Sequence, residues 1–253
     1  PDLADEGGGE AFTPFACMKH RDLRGEYSAS IPERSVAYFS YFTAQKTPSQ
    51  IVEVLRALAL EAQKNALARH EEASVRFAAR GKPRVHERRR EPRVMTFEEL
   101  MAKARDQGGP GVDALLEKIA REASGDERDR ALAAADACVT LAGEKGPLVV
   151  VGFLMPWYPH RGNHGATVGD RAMLRLASRM VAEARERFGV AMGIRPFYEG
   201  ISDLSYCGYP DAPETMESYV RNVPAYGVDY RLPVEELLSL SIPVLNLGPI
   251  GKD

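Results

Sequence analysis

The run Pro147-Leu148-Val149-Val150-Val151-Gly152-Phe153-Leu154-Met155 is the stretch that most limits what this chain can become. It has strand length and offers no polar side chain to water, the pattern of a strand covered on both faces in a sheet interior. Such a strand needs helices beside it, and the sequence supplies them. Over 170–188, Met173, Leu174, Leu176, Ala177, Met180, Val181 and Ala184 fall on one side of a helical projection, with Gly189 as terminator. Residues 190–197 then read as a strand, 214–221 as a short helix, 233–240 as a helix opened by Pro233, and 242–247 as a last strand closed by Gly248-Pro249. Helix and strand in alternation predict an α/β fold with a largely parallel sheet.

The first half is less regular. Residues 1–10 are acidic and glycine-rich, which predicts a loose arm over 1–11. A short strand is expected around His20-Arg21-Asp22. The aromatic, β-branched run Ser35-Val36-Ala37-Tyr38-Phe39-Ser40-Tyr41-Phe42-Thr43 predicts a half-buried strand. Thr47-Pro48-Ser49-Gln50 is the clearest helix start: Thr47 can cap, Pro48 suits the first helical position, and Gln50 can reach back to the cap. Ile51, Val52, Val54, Leu55, Leu58, Ala59, Ala62 and Ala66 give that helix an apolar stripe, and residues 73–78 either extend it or form a strand. Three shorter helices are expected over 96–105, 112–123 and 128–142, the first with a second capping box at Thr96 and Glu99.

Between these helices, Arg80, Lys82, Arg84, Arg88, Arg89, Arg90 and Arg93 outnumber Glu87 and Glu91. No glycine-rich cradle follows and no aromatic residues are interleaved for stacking, so a solvated loop is favoured over a nucleic-acid surface. The formal charge of −3 over 253 residues agrees with that. Three distant cysteines, Cys17, Cys138 and Cys207, offer neither a disulfide framework nor a metal knuckle, and a reducing cytoplasm fits them best. No apolar run reaches the ~18 residues of a membrane span. The chain begins at Pro1 and stops at Asp253 directly after a strand-like run, so a piece of a longer protein is expected.

Chemistry is expected where Phe197-Tyr198-Glu199-Gly200-Ile201-Ser202-Asp203-Leu204-Ser205-Tyr206-Cys207-Gly208 breaks from apolar to small polar residues. Gly200 would let the backbone turn with positive φ near a ligand. Ser202, Asp203 and Ser205 offer two hydroxyls and a carboxylate. The plainer reading has Ser202 or Asp203 capping a following helix. In Trp157-Tyr158-Pro159-His160-Arg161-Gly162-Asn163-His164-Gly165, two of the five histidines stand four residues apart. A helix would place both on one face for a metal, but the glycines and Pro159 favour a loop with exposed imidazoles.

Trp157-Tyr158-Pro159-His160, the 197–206 stretch and Pro243-Val244-Leu245-Asn246-Leu247-Gly248-Pro249-Ile250-Gly251-Lys252-Asp253 together resemble the RocB family of arginine-utilisation proteins. Arg21-Asp22-Leu23 with Tyr27 and Pro32, and the aromatic strand with its capped helix, extend the resemblance over most of the chain. The family belongs to the aminoacylase, acetylornithine deacetylase and carboxypeptidase clan of metallohydrolases. The resemblance implies an α/β catalytic domain with two zinc ions and an inserted α+β lid that forms a homodimer. Residues 12–164 would be the lid, enlarged by a helical insertion over about 94–142, and 165–253 the C-terminal part of the catalytic domain. It further implies that the general base and the zinc ligands lie outside these residues, so that this chain by itself binds no zinc. Gly200, Ser202, Asp203, Gly248, Pro249 and His160 would line the active-site wall. The reaction implied is hydrolysis of an N-acyl amino acid or small peptide, with neither nucleic acid nor membrane as partner. Relatives of the desuccinylase type place an asparagine before the lid proline and an arginine near the end of the next strand. Neither stands around residues 28–32 or 41–43 here. The alternative is a non-catalytic dimerisation or binding module.

Overall fold

The computed structural model describes residues 4–7, 10–24, 26, 29–81, 91–195, 197–198 and 200–248. In chain order its elements are β1 (Glu6–Gly7), β2 (Glu10–Ala11), β3 (Ala16–Asp22), β4 (Ser35–Ser40), α1 (Pro48–Ala78), β5 (Val94–Thr96), α2 (Phe97–Gly108), α3 (Val112–Glu122) and α4 (Glu127–Leu141). Then come β6 (Val149–Val151), α5 (Val168–Phe188), a 3-10 turn (Asp203–Cys207), α6 (Pro213–Arg221) and α7 (Val234–Ser239). The architecture is mixed α/β with small sheets: β1 pairs with β2 and β3 with β4, both antiparallel, and β5 with β6 in parallel.

Two compact units result, each drawn from separated stretches of chain: Pro1–Lys46, Trp157–Asp211 and Pro233–Asp253 form one, and Thr47–Pro156 with Ala212–Leu232 the other. In the second unit the helix starts are written in the sequence. Thr47 and Gln50 cap α1 reciprocally, as Thr96 and Glu99 cap α2. Residues 73–78 continue α1, and its packed stripe is confined to the N-terminal half, because Val75 and Phe77 stay half exposed. Helices α2, α3 and α4 bury Phe97, Leu100, Ala104, Val112, Leu116, Cys138 and Ala142 in one cluster.

Beside that cluster Glu144 is buried, with Arg93 and Lys103 both on its carboxylate. The Lys103 ammonium and the Arg93 guanidinium outweigh the burial cost and hold Glu144 below the usual carboxylate range. Asn222, at the end of α6, is buried and ties three segments together. Its Oδ1 accepts from the Glu98 N–H at 3.1 Å, its Nδ2 donates to Ser218 O at 2.9 Å, and its backbone oxygen accepts from the Phe153 N–H at 2.8 Å. Gly152 is required there, since a Cβ would stand 2.7 Å from that oxygen.

In the first unit the acidic start is not a loose arm throughout. Asp5 is buried, and its Oδ2 accepts from the backbone N–H groups of Ala44, Gln45 and Lys46 at 2.7–2.8 Å. Burial pushes its carboxyl up, but these three hydrogen bonds and the Lys46 charge outweigh it and hold the group below the usual range. Phe12, Ala44 and Phe197 form one buried cluster of this unit, with Phe12 edge-on to Phe197 at 5.9 Å between centroids.

The expected sheet is smaller than its apolar runs suggest. Among the described residues only Val149–Val151 of the 147–155 run pairs, and with a single neighbouring strand, β5, rather than in a sheet interior. No strand forms at 190–195 or 242–247 among the described residues, and Val190, Ile194, Ile242 and Leu247 remain exposed. Strand propensity describes a surface that fits a ladder, and among the described residues these segments find no more than the single antiparallel bridge between Gly208 and Ser241 at the edge of the second. The apolar side of α5 is only partly covered: Ala177 is buried, Met173, Leu174, Met180, Val181 and Ala184 are half-buried, and Leu176 is 47% exposed.

Candidate functional site

The first unit brings together the three stretches that carried the resemblance, and the loop 157–165 is what joins them. Pro159 is fully buried, and its ring restricts the backbone at that point of the loop. Before it, the Trp157 oxygen accepts from the Tyr206 hydroxyl at 2.8 Å, Tyr158 packs on the Tyr206 ring at 5.4 Å, and Trp157 meets Tyr209 edge-on at 5.7 Å. After it, the Arg161 guanidinium donates to Ile242 O at 2.7 Å and the Asn163 amide to Val244 O. His164 lies 5.3 Å from the Phe197 ring, and a Cβ at Gly162 would touch both. Segment 241–242 is held from its other side by the Ile242 N–H on Cys207 O at 3.0 Å and by the bridge between Gly208 and Ser241.

Within the 197–208 stretch the cap reading holds. Ser202 is the N-cap of the 3-10 turn, and its hydroxyl accepts from the Leu204 N–H at 3.3 Å. Asp203 is the first residue of that turn, with an exposed side chain. Gly200 does not adopt a left-handed backbone. It makes room for the Tyr198 ring, whose nearest atoms stand 2.8–3.1 Å from where a Cβ would be. The left-handed glycine of the stretch is Gly208, with φ 142°, where a Cβ would lie 2.5 Å from Leu240 O. Gly248 is exposed, and Pro249 lies outside the described residues, as does most of the basic loop at 82–90.

His160 departs from the expected exposed imidazole. Its side chain is 6% exposed, and Nε2 stands 3.2 Å from Oδ2 of Asp211. That oxygen is buried and receives no well-aligned hydrogen bond, so the pair is a close imidazole–carboxylate contact. Sequence reasoning missed Asp211. Pro210-Asp211-Ala212-Pro213 reads only as a turn before a helix, and nothing in its spacing points back to His160.

Zinc chemistry has a stringent donor requirement: a two-zinc centre needs several imidazole and carboxylate ligands converging on one point. Among the described residues no group of three or more His, Cys, Asp or Glu side chains could hold a metal ion. The residues present therefore do not fit such a centre. They make a polar, aromatic-lined surface with one exposed carboxylate, at Asp203, and one imidazole–carboxylate pair, which suits holding and orienting a polar ligand. No described helix is long and apolar enough to cross a membrane.

No family model matches the chain, and no solved structure does. Two curated proteins of Bacillus subtilis (strain 168) are similar to it. The uncharacterised protein YqjN is 26% identical over all of this chain and 45% of its own length. Protein RocB is 21% identical over 99% of this chain and 44% of its own length. The chain thus spans less than half of the curated relatives it matches, and RocB and YqjN are distant homologues of it over that part.

Proposed function

We propose that this chain is part of a zinc-dependent amidohydrolase of the aminoacylase and carboxypeptidase kind, cleaving the amide bond of N-acyl amino acids or small peptides in amino-acid or arginine catabolism. One observation carries the reading. Stretches 157–164, 197–208 and 241–244, separated in sequence, are joined by hydrogen bonds into one surface in one unit. Homology to RocB across nearly the whole chain supports it. Ser202 then shapes the wall and Asp203 presents a carboxylate to the substrate, while His160 belongs to the same unit. The two zinc ions and the general base belong, on this reading, to parts of the protein that these residues do not include. Residues 12–164 would act as a lid and as the contact between two copies.

A second reading has its own observation. Exposed Val190, Met192, Ile194, Leu245 and Leu247 flank backbone that pairs with no strand among the described residues. That suits a binding or dimerisation module whose surface is completed by other chain. Metal analysis of the whole product of the encoding reading frame separates the two, since the proposed enzyme holds stoichiometric zinc and a module of this kind holds none. The deciding assay is hydrolysis of N-acyl amino acids by the whole product of the encoding reading frame. Turnover lost to a chelator and restored by zinc is expected. No turnover on any N-acyl amino acid or dipeptide, or turnover indifferent to chelator, contradicts the proposal.

A further inference from the structure

We propose that segments 190–195 and 245–247 are strands whose sheet is completed by the rest of a longer polypeptide, so that this face of the first unit is an interface within one chain. The proposal rests on reading these 253 residues as part of a larger protein, and on nothing of the zinc chemistry. Val190, Met192 and Ile194 alternate with Ala191, Gly193 and Arg195, the two-residue period that sets one side of a strand against a core. Yet residues 190–195 are exposed throughout, with Val190 at 49% and Ile194 at 47%. Leu245 and Leu247 repeat the pattern on either side of Asn246, and Leu247 is 62% exposed. Among the described residues, the backbone of 191–195 and of 245–247 makes no hydrogen bond and joins no sheet.

An apolar, strand-like segment with open edges is a template for pairing, and native chains cover it. The longest stretches of this chain outside the described residues are poor covers. Residues 82–90 offer Val85 as their one aliphatic side chain amid charge, and 249–253 offer only Ile250. In YqjN and RocB, by contrast, more than half of the polypeptide lies outside the part that this chain matches. Chain joined covalently meets the face at an effective concentration on the order of millimolar, which a second copy does not reach at ordinary protein concentrations. Antiparallel pairing of 190–195 with its own copy would also satisfy one edge and leave the other open. The occupant is therefore the remaining part of the same polypeptide. Its chemistry follows from the face: extended segments with β-branched or other aliphatic side chains at alternate positions, and no charge on the side that packs.

Two measurements on the whole product of the encoding reading frame test this. Hydrogen exchange should show the amides of Met192, Ile194 and Leu247 protected at least about 100-fold over an unstructured peptide, the mark of ladder bonds that rarely open. Exchange at the unstructured rate in the folded product overturns the inference. The second measurement separates the occupants. A photoreactive diazirine side chain is placed at Met192, in a mixture of copies with ordinary and with heavy nitrogen, and the peptides joined by light are identified by mass spectrometry. The expected partner is a peptide from outside these 253 residues, always with the isotope label of its own copy. A partner peptide from within them, or pairs of mixed label, would assign the face to this chain itself or to a second copy and overturn the inference. Without a cross-link, the exchange result decides alone. The hydrolase reading fails separately: absent turnover with protected amides refutes the zinc chemistry alone, and turnover with unprotected amides refutes the interface alone.

Discussion

Replacing Arg161 and Asn163 together by alanine should release segment 241–245 from the loop that holds it. The Arg161 bond to Ile242 O is 2.7 Å long but partly exposed, and the Asn163 bond to Val244 O is more buried. Solvent competes for the first, so its charge adds little, and each bond is worth about 1 kcal/mol net. Loss of both is therefore about 2 kcal/mol, or roughly a 30-fold change in an opening equilibrium. The reporter is built in: the Ile242 N–H donates to Cys207 O, so its hydrogen exchange requires this segment to open. Exchange of that amide should quicken about 5-fold in Asn163→Ala and about 30-fold in the double variant. The Phe153 N–H, which donates to Asn222 O in the other unit, should keep its protection. Unchanged exchange at Ile242 in a folded double variant would show that the loop does not hold the segment, and the convergence behind the functional reading would fall with it.

Two stability predictions concern the helical unit. Asn222→Ala removes two buried side-chain bonds and leaves the Glu98 N–H without its acceptor at the start of α2, so a loss of about 2–3 kcal/mol in chemical denaturation is expected; less than about 0.5 kcal/mol would refute the tie. Glu144 has a folded-state pKa lowered from the ordinary 4.5, so its contribution is present above pH 4.5 and is lost as pH falls through the folded value. Glu144→Gln should destabilise the chain by about 1–2 kcal/mol at neutral pH, because Arg93 and Lys103 can turn to water. It should also flatten the acid limb of the stability curve below pH 4.5, whereas an acid limb identical to that of the natural chain would contradict the assignment.

The helices were legible in the sequence because their starts are local chemistry. Thr47 with Gln50 and Thr96 with Glu99 form reciprocal caps within four residues of chain, and no distant partner is needed. Strands are different. Residues 190–197 and 242–247 have the side chains of strands, but pairing depends on a neighbouring segment that no local pattern supplies. The same reason hid half of the site. Ser202 was readable as a cap from its place before Leu204, whereas the Asp211 partner of His160 lies 51 residues along the chain, inside a turn whose prolines explain it without any reference to histidine. Asp5 escaped for a related reason, since the three N–H groups it accepts belong to Ala44, Gln45 and Lys46. An acidic, glycine-rich context says nothing of so distant an anchor.

The claim that the 197–208 surface is the wall of an amide-hydrolysing site is tested most directly at Asp203, an exposed carboxylate whose loss should not disturb the fold. In the zinc-loaded product of the whole reading frame, Asp203→Asn should lower kcat/KM for N-acyl amino acids by about 10-fold or more, the scale of a charged contact to substrate, with thermal unfolding unchanged. Turnover equal to that of the natural protein would contradict the account.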